Sequence, residues 1–435
     1  MELPKIHFSS SSILIDSWMK ILITGLSPDD VVTLKAEMRD NLGTEWESHA
    51  IFKADSNGKI DLRTAKPMSG TYTEVDETGL FWSMLPVSNI KSNKQTSLKP
   101  LETKLVLIRQ KEVLDVISLK RHFVLPEIKR IPIHEQGLVA TSFFHPEEEP
   151  LPTIIILGGS EGGLYEEQAA LLASYGFNTL ALAYFGVEDL PDELVNIPID
   201  NIEKAINWLS SQPNVDSNKL GMMGTSKGGE LALLSASMFP AIKAVVGYVP
   251  SSVVYPGISQ KNGSSSSWNY KGEEIPYAKG KIPEKVGASL GNCIQTGKPL
   301  IFRDWYLHLA EGQTNAEISV ENINGPVLLI SGGDDKLWPS DIMSDRVIER
   351  LKRNNHPFYF EHKIYPSAGH YFIAPGMPTT HSDKISFASN STMLLGGNSH
   401  DNAVAHADAW RKAKEFFKEY LGEQERGWDK TPVRK

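Results

Sequence analysis

Ser226 sits in Gly224-Thr225-Ser226-Lys227-Gly228, directly after the apolar run Leu220-Gly221-Met222-Met223. Gly229-Glu230-Leu231-Ala232-Leu233-Leu234 follows and reads as the start of a helix. A strand that turns into a helix through glycines around a serine is a nucleophile elbow. The turn is so sharp that side chains two residues before or after the serine would clash, and the hydroxyl is held out at the carboxyl edge of a sheet. A serine that merely caps a helix is the plainer alternative. The apolar strand before Ser226 and the glycines around it favour the nucleophile.

A serine hydroxyl attacks well only when a base takes its proton and a carboxylate orients that base. In a strand–elbow–helix arrangement the chain order is serine, acid, histidine, so both partners are sought beyond residue 226. The apolar strand Val327-Leu328-Leu329-Ile330 runs into Ser331-Gly332-Gly333-Asp334-Asp335-Lys336-Leu337-Trp338-Pro339. Loop spacing selects Asp335 as the acid, with Asp334 as competitor; two aspartates filling a turn would be the inert reading. For the base, the strand candidate 358–365 is followed by Pro366-Ser367-Ala368-Gly369-His370-Tyr371. Small residues before His370 let it reach over the serine, which ranks it ahead of His362, His381, His400 and His406.

The negative charge that develops on an attacked carbonyl needs two donors. Lys227 contributes its backbone N–H, and this is the main role the spacing assigns it. The second donor belongs to the glycine-rich loop after strand Thr153-Ile154-Ile155-Ile156-Leu157, which reads Gly158-Gly159-Ser160-Glu161-Gly162-Gly163. Ser160 and Glu161 are equal candidates. A phosphate cradle is disfavoured because the loop lacks both the Gly-Lys-Ser/Thr ending and G-x-G-x-x-G spacing. No His-Glu-x-x-His and no cysteine pair suggests a metal site, and no cofactor is expected.

The elements that must position these residues divide in two. Up to about residue 125 the chain reads as a small β-sandwich: Val32, Leu34, Ala36 and Met38 alternate with polar residues, and 46–52 is a second strand. Asn57-Gly58 supplies a hairpin turn before Ile60 and Leu62. Further β-like runs are 18–24, 79–84, 104–108 and 116–119, and Ser9–Ser12 reads as a loose terminus. From about residue 126 to 435, strands alternate with helices, the pattern of an α/β fold with a mostly parallel sheet and helices on both faces. Its helices are expected over 166–175, stopped by Gly176, along the Ile202, Ala205, Ile206, Leu209 face, and over 402–421 with Trp410 at the edge of the apolar face. Residues 251–325, with Gly263 and the serine run Ser264–Ser267, break this rhythm and read as a cap or loop insertion over the site.

Composition excludes several classes. A net charge of −9 and 40% hydrophobic residues fit a large globular core and not a nucleic-acid footprint. The one cysteine, Cys293, cannot form an intrachain disulfide and reads as an inert loop thiol. No signal peptide, membrane span or peroxisomal Ser-Lys-Leu ending is expected, so the cytoplasm is the default compartment. Oligomeric state is not legible.

With these motifs in hand, the chain resembles the type I acyl-CoA thioesterases, the family shared with bile acid-CoA:amino acid N-acyltransferase. The resemblance is carried by Gly25-Leu26-Ser27-Pro28 and Gly79-Leu80-Phe81-Trp82-Ser83-Met84, then by Leu171-Leu172-Ala173-Ser174-Tyr175-Gly176-Phe177. It continues through Ala181-Leu182-Ala183-Tyr184, Glu188-Asp189-Leu190-Pro191, Ser226-Lys227-Gly228-Gly229-Glu230-Leu231, Asp335, Ala368-Gly369-His370, Ala409-Trp410 and Phe416-Phe417. It implies an N-terminal β-sandwich followed by an α/β-hydrolase domain, an acyl-CoA substrate, and the triad Ser226, Asp335 and His370. Members that conjugate amino acids carry cysteine at the nucleophile, so Ser226 points to water as acceptor. Competing expectations are a carboxylesterase or lactone hydrolase of the dienelactone-hydrolase type, an N-acyltransferase, and a binding module without activity. No basic cluster marks a place for the CoA phosphates.

Overall fold

The computed structural model describes residues 3–17, 19–90, 97–146, 149–259, 264–281, 283–386 and 391–422. Trp18 and Gly263 lie outside them. The N-terminal part is an all-β sandwich. One sheet runs in the order Ser12–Leu14, Glu112–His122, Leu101–Arg109, Val31–Arg39, Glu45–Lys53 and Ser69–Gly70, with Leu85–Pro86 also on Glu45–Lys53. The other pairs Lys5–Phe8, Ile21–Thr24 and Ile60–Asp61. Alternation decides which side chains meet between them: Val32, Leu34, Ala36 and Met38 are buried, as are Trp46, Ser48, Ala50 and Phe52 on the neighbouring strand.

Three local expectations need correction. Gly79–Trp82 is a helical turn and not a strand, with all four residues buried. Asp76 organises it by accepting from the Thr78 amide (2.7 Å) and from Trp82 Nε1 (2.6 Å). The Asn57-Gly58 turn forms, with Gly58 at φ +69°, but it joins no hairpin. Ile60–Asp61 crosses to the other sheet and pairs with Ile21–Thr24. The serine run at the amino end is not loose throughout either: Ser12–Leu14 adds in parallel to Lys120–His122.

The second part is an α/β-hydrolase sheet of eight strands. Its order is Lys129–Ile133, Val139–Phe144, Asn178–Ala183, Leu151–Leu157, Val215–Thr225, Ile242–Tyr248, Val327–Gly332 and Phe360–Tyr365. The first two pairings are antiparallel and the rest parallel. Helices cover both faces, so Ile154, Ile155, Ile156 and Leu157 are all buried, as an unbroken apolar strand requires. Helix Glu166–Ala173 ends before Gly176, which takes φ +86°. The closing helix spans Ser399–Leu421, capped by the Asn398 side chain.

Trp410 is not at the edge of that helix's apolar face: it is buried, with Nε1 donating to Asp16 of the sandwich at 2.8 Å. In the 251–325 region, Ser266, Ser267 and Trp268 are buried, while helix Glu284–Thr296 contributes no buried residue. Cys293 lies in that helix, not in a loop, and is half-buried.

Candidate active site

The elbow strand Val215–Thr225 hands the chain to helix Lys227–Met238 at Ser226, whose φ of +57° and ψ of −118° are costly for a residue with a side chain. The Ser226 amide donates to the Tyr248 carbonyl at 2.8 Å, which helps hold the strained turn. Glycine is required on both sides. A Cβ at Gly224 would stand 2.0 Å from the Gly228 carbonyl oxygen, and one at Gly228 would stand 2.1 Å from that of Gly158.

Ser226 Oγ lies 2.8 Å from His370 Nε2, and His370 Nδ1 lies 2.8 Å from Asp335 Oδ2. With the carboxylate accepting at Nδ1, that nitrogen carries the proton and Nε2 is free to accept from the serine. All three residues are buried. The other Asp335 oxygen accepts from the amides of Leu337 (2.9 Å) and Trp338 (3.1 Å), and Ser340 Oγ donates to Oδ2 at 2.6 Å. A carboxylate held by this many donors has its orientation determined. Asp334 turns away, accepting from the Gly397 amide at 2.9 Å.

The other histidines have separate engagements. His362 bonds Ser331 Oγ and Asp345, His381 packs on Trp46 at 5.1 Å, and His400 on Trp82 at 5.5 Å. His406 is buried and donates through Nε2 to the Tyr371 carbonyl at 2.6 Å.

Around the glycine-rich loop, Tyr184 Oη donates to the carbonyls of Gly158 (2.6 Å) and Gly159 (3.1 Å). Because C=O and N–H point oppositely across a planar trans peptide, the Gly159 and Ser160 amides face away from Tyr184. Lys227, the first residue of its helix, has no intrahelical acceptor for its N–H. The Glu161 carboxyl accepts from Tyr165 Oη. Burial pushes the Glu161 carboxyl above its ordinary range, opposed by its own amide and by His370 nearby.

Several supporting residues escape a reading by spacing. Lys227 uses its side chain as well as its amide. Nζ reaches Glu230 Oε1 at 2.7 Å, and that oxygen also accepts from Trp268 Nε1 at 2.8 Å. Burial drives the Lys227 ammonium down and the Glu230 carboxyl up, with their attraction opposing both shifts. A lone glutamate, Glu230, directly before the apolar run Leu231-Ala232-Leu233-Leu234 is the available signal. Trp338 stands edge-on to His370, with centroids 5.6 Å apart, and Asn402 Oδ1 accepts from the Gly369 amide at 2.9 Å.

The sandwich also touches the segment that follows His370. The Thr379 amide donates to the Trp82 carbonyl (3.0 Å), Thr380 Oγ1 to the Met84 carbonyl (2.5 Å) and Arg121 Nη1 to the Gly376 carbonyl (2.5 Å).

Residues 16–135 match the family described as acyl-CoA thioester hydrolase/BAAT N-terminal region. Residues 197–423 match BAAT / acyl-CoA thioester hydrolase C terminal. The chain is 32% identical over 421 residues to mouse acyl-coenzyme A thioesterase 2, mitochondrial, covering 94% of this chain and 87% of that protein. It is 30% identical over 418 residues to human acyl-coenzyme A thioesterase 1, covering 94% and 95%. The mouse peroxisomal succinyl-coenzyme A thioesterase is 30% identical over 426 residues, covering 94% of each. Both halves of the chain therefore match in the order seen in the fold, and the chain belongs to the acyl-CoA thioester hydrolase/BAAT family.

Proposed function

We propose that this enzyme hydrolyses acyl-CoA thioesters to a free acid and CoA through an acyl-enzyme on Ser226. The observation that carries the reading is the buried relay in which Ser226 Oγ and Asp335 Oδ2 each lie 2.8 Å from His370. His370 Nε2 takes the serine proton as Oγ attacks the thioester carbonyl, and Asp335 stabilises the resulting imidazolium. The Lys227 amide is one oxyanion donor. The amide of Ser160 or Glu161 supplies the other. The C–S bond breaks, His370 returns its proton to the leaving thiolate, and water activated by the same imidazole hydrolyses the Ser226 ester.

In this reading residues 1–125 form the sandwich unit and 126–435 the catalytic unit, with 251–325 as the cap. Serine at the nucleophile favours water over an amino acid as acyl acceptor. The cytoplasm is the proposed compartment, testable by fractionation; among the described residues no helix is long and apolar enough to cross a membrane.

The test follows thiol release from short-, medium- and long-chain acyl-CoAs, with simple esters alongside, for the protein and for Ser226→Ala. Release that vanishes in Ser226→Ala is expected. Ester cleavage without thiol release would instead support the dienelactone-hydrolase type of reading.

A further inference from the structure

Glu161 brings a carboxylate into the catalytic cleft that the proposed reaction does not use. The residue as a whole is exposed, yet its carboxyl group lies against the glycine-rich loop. Oε1 accepts from Tyr165 Oη, and the ring of Tyr165 lies against Gly158, where a Cβ would stand 2.4 Å from it. Oε2 lies against Gly159, 2.7 Å from the position a Cβ would take. That same position is 3.4 Å from the carbonyl oxygen of Thr225, the residue before the nucleophile. The carboxylate thus lies beside the elbow, and His370 acts on it electrostatically. The ionisable groups around it are Tyr165, Tyr184, His370 and Tyr371. None of the three tyrosines supplies a positive charge, and His370 is neutral when it serves as base. Once ionised, which burial moves to higher pH than for an ordinary carboxyl, Glu161 therefore presents an acyl group entering between Ser226 and the glycine-rich loop with a negative charge that none of these groups offsets with a positive one.

We propose that Glu161 is a specificity-determining residue that acts as a charge filter, admitting neutral acyl groups and rejecting those that carry a carboxylate near the reacting carbonyl. The proposal rests on the assignment of Ser226 and the glycine-rich loop to the acyl site. Two like charges several ångströms apart in a partly desolvated cleft repel enough to change selectivity by roughly 10- to 50-fold. Distance attenuates the effect, so the filter acts on short dicarboxylic acyl groups and not on long ones whose carboxylate lies outside the cleft. Tyr165 keeps the charge in place, which makes Tyr165→Phe a milder version of the same lesion.

The experiment measures kcat/KM for butanoyl-CoA and for succinyl-CoA, which differ at the far end of a four-carbon chain by a methyl against a carboxylate, at pH 8. The two values are compared in the unaltered protein, Glu161→Gln and Glu161→Ala. The ratio of the two substrates on one protein preparation cancels any loss of folded enzyme. We expect butanoyl-CoA to be preferred by the unaltered protein, and the succinyl-to-butanoyl ratio to rise about tenfold or more in both variants. An unchanged ratio overturns the filter, as does a parallel loss on both substrates, which would make Glu161 an aid to His370 instead. The same comparison with p-nitrophenyl butanoate and mono-p-nitrophenyl succinate separates two failures. If the esters show the shift while neither CoA thioester turns over, the thioesterase reading falls and the filter stands.

Discussion

Lys227 Nζ and Glu230 Oε1 lie 2.7 Å apart with both side chains almost wholly out of solvent, in the first turn of the helix that begins after Ser226. Trp268 Nε1 and the Tyr255 amide complete the glutamate's partners, at 2.8 and 3.2 Å. The pair therefore ties the elbow to the segment inserted after strand Ile242–Tyr248. Removing one member leaves a buried charge unmatched. Glu230→Leu is expected to lower stability by about 3–5 kcal/mol in a urea titration. Lys227→Met combined with Glu230→Gln is expected to recover most of it, since the amide oxygen still accepts from Trp268 and no charge remains unpaired.

Asp335→Asn should leave the fold intact and reduce kcat on the order of 10⁴-fold. The amide can donate to Nδ1 and so favour the tautomer whose Nε2 already holds a proton. A loss of less than tenfold in steady-state turnover would remove Asp335 from the proposed relay.

Asp16 is a sandwich residue buried to 1% exposure of its side chain, and it receives Tyr175 Oη (2.7 Å), Trp410 Nε1 (2.8 Å) and Lys414 Nζ (2.6 Å). Asp16→Ala strands three donors, one of them charged. Because Lys414 retains some solvent contact, the expected loss is about 2–3 kcal/mol. Thermal unfolding should show it as a lower Tm of the whole chain. An altered sandwich transition with an unchanged hydrolase transition would contradict this.

His406 lies buried against Phe372, and burial holds its imidazole down to about 4, against 6.5 for a free side chain. Between those values the unfolded chain binds the extra proton and the folded one does not, so stability is lost as pH falls from 6.5 toward 4. The loss approaches about 3 kcal/mol at the acid end. His406→Gln, which has no proton to take up, should flatten the dependence of urea midpoints on pH across that window. An equally steep profile in the variant would contradict the assignment.

Much of the fold was readable because it depends on local pattern. The period of two in Val31–Arg39 and the continuous apolar run of Leu151–Leu157 reflect which faces each strand buries. Gly79–Trp82 reads as a strand because its aromatic and apolar residues suit one, while the side chain of Asp76 rolls them into a turn. The Asn57-Gly58 turn suggests a hairpin for Ile60–Asp61, but a turn dictates direction only locally, and packing chooses the partner strand.

The site divides along the same line. Small residues at Gly224 and Gly228, a serine between them, and later acidic and histidine loops are legible in the sequence, because the backbone of the elbow tolerates few alternatives. Which groups support them was decided by tertiary structure. Ser226 and His370 stand 144 positions apart, and Gly369 is held by Asn402 from the closing helix. The side chain of Lys227 finds Glu230 and Trp268, and the sandwich reaches the segment after His370 through Trp82, Met84 and Arg121. Local sequence sets the conformations a segment can adopt. Burial of charge and the pairing of distant donors are settled only when sheets and helices have packed, so those relationships belong to the folded molecule alone.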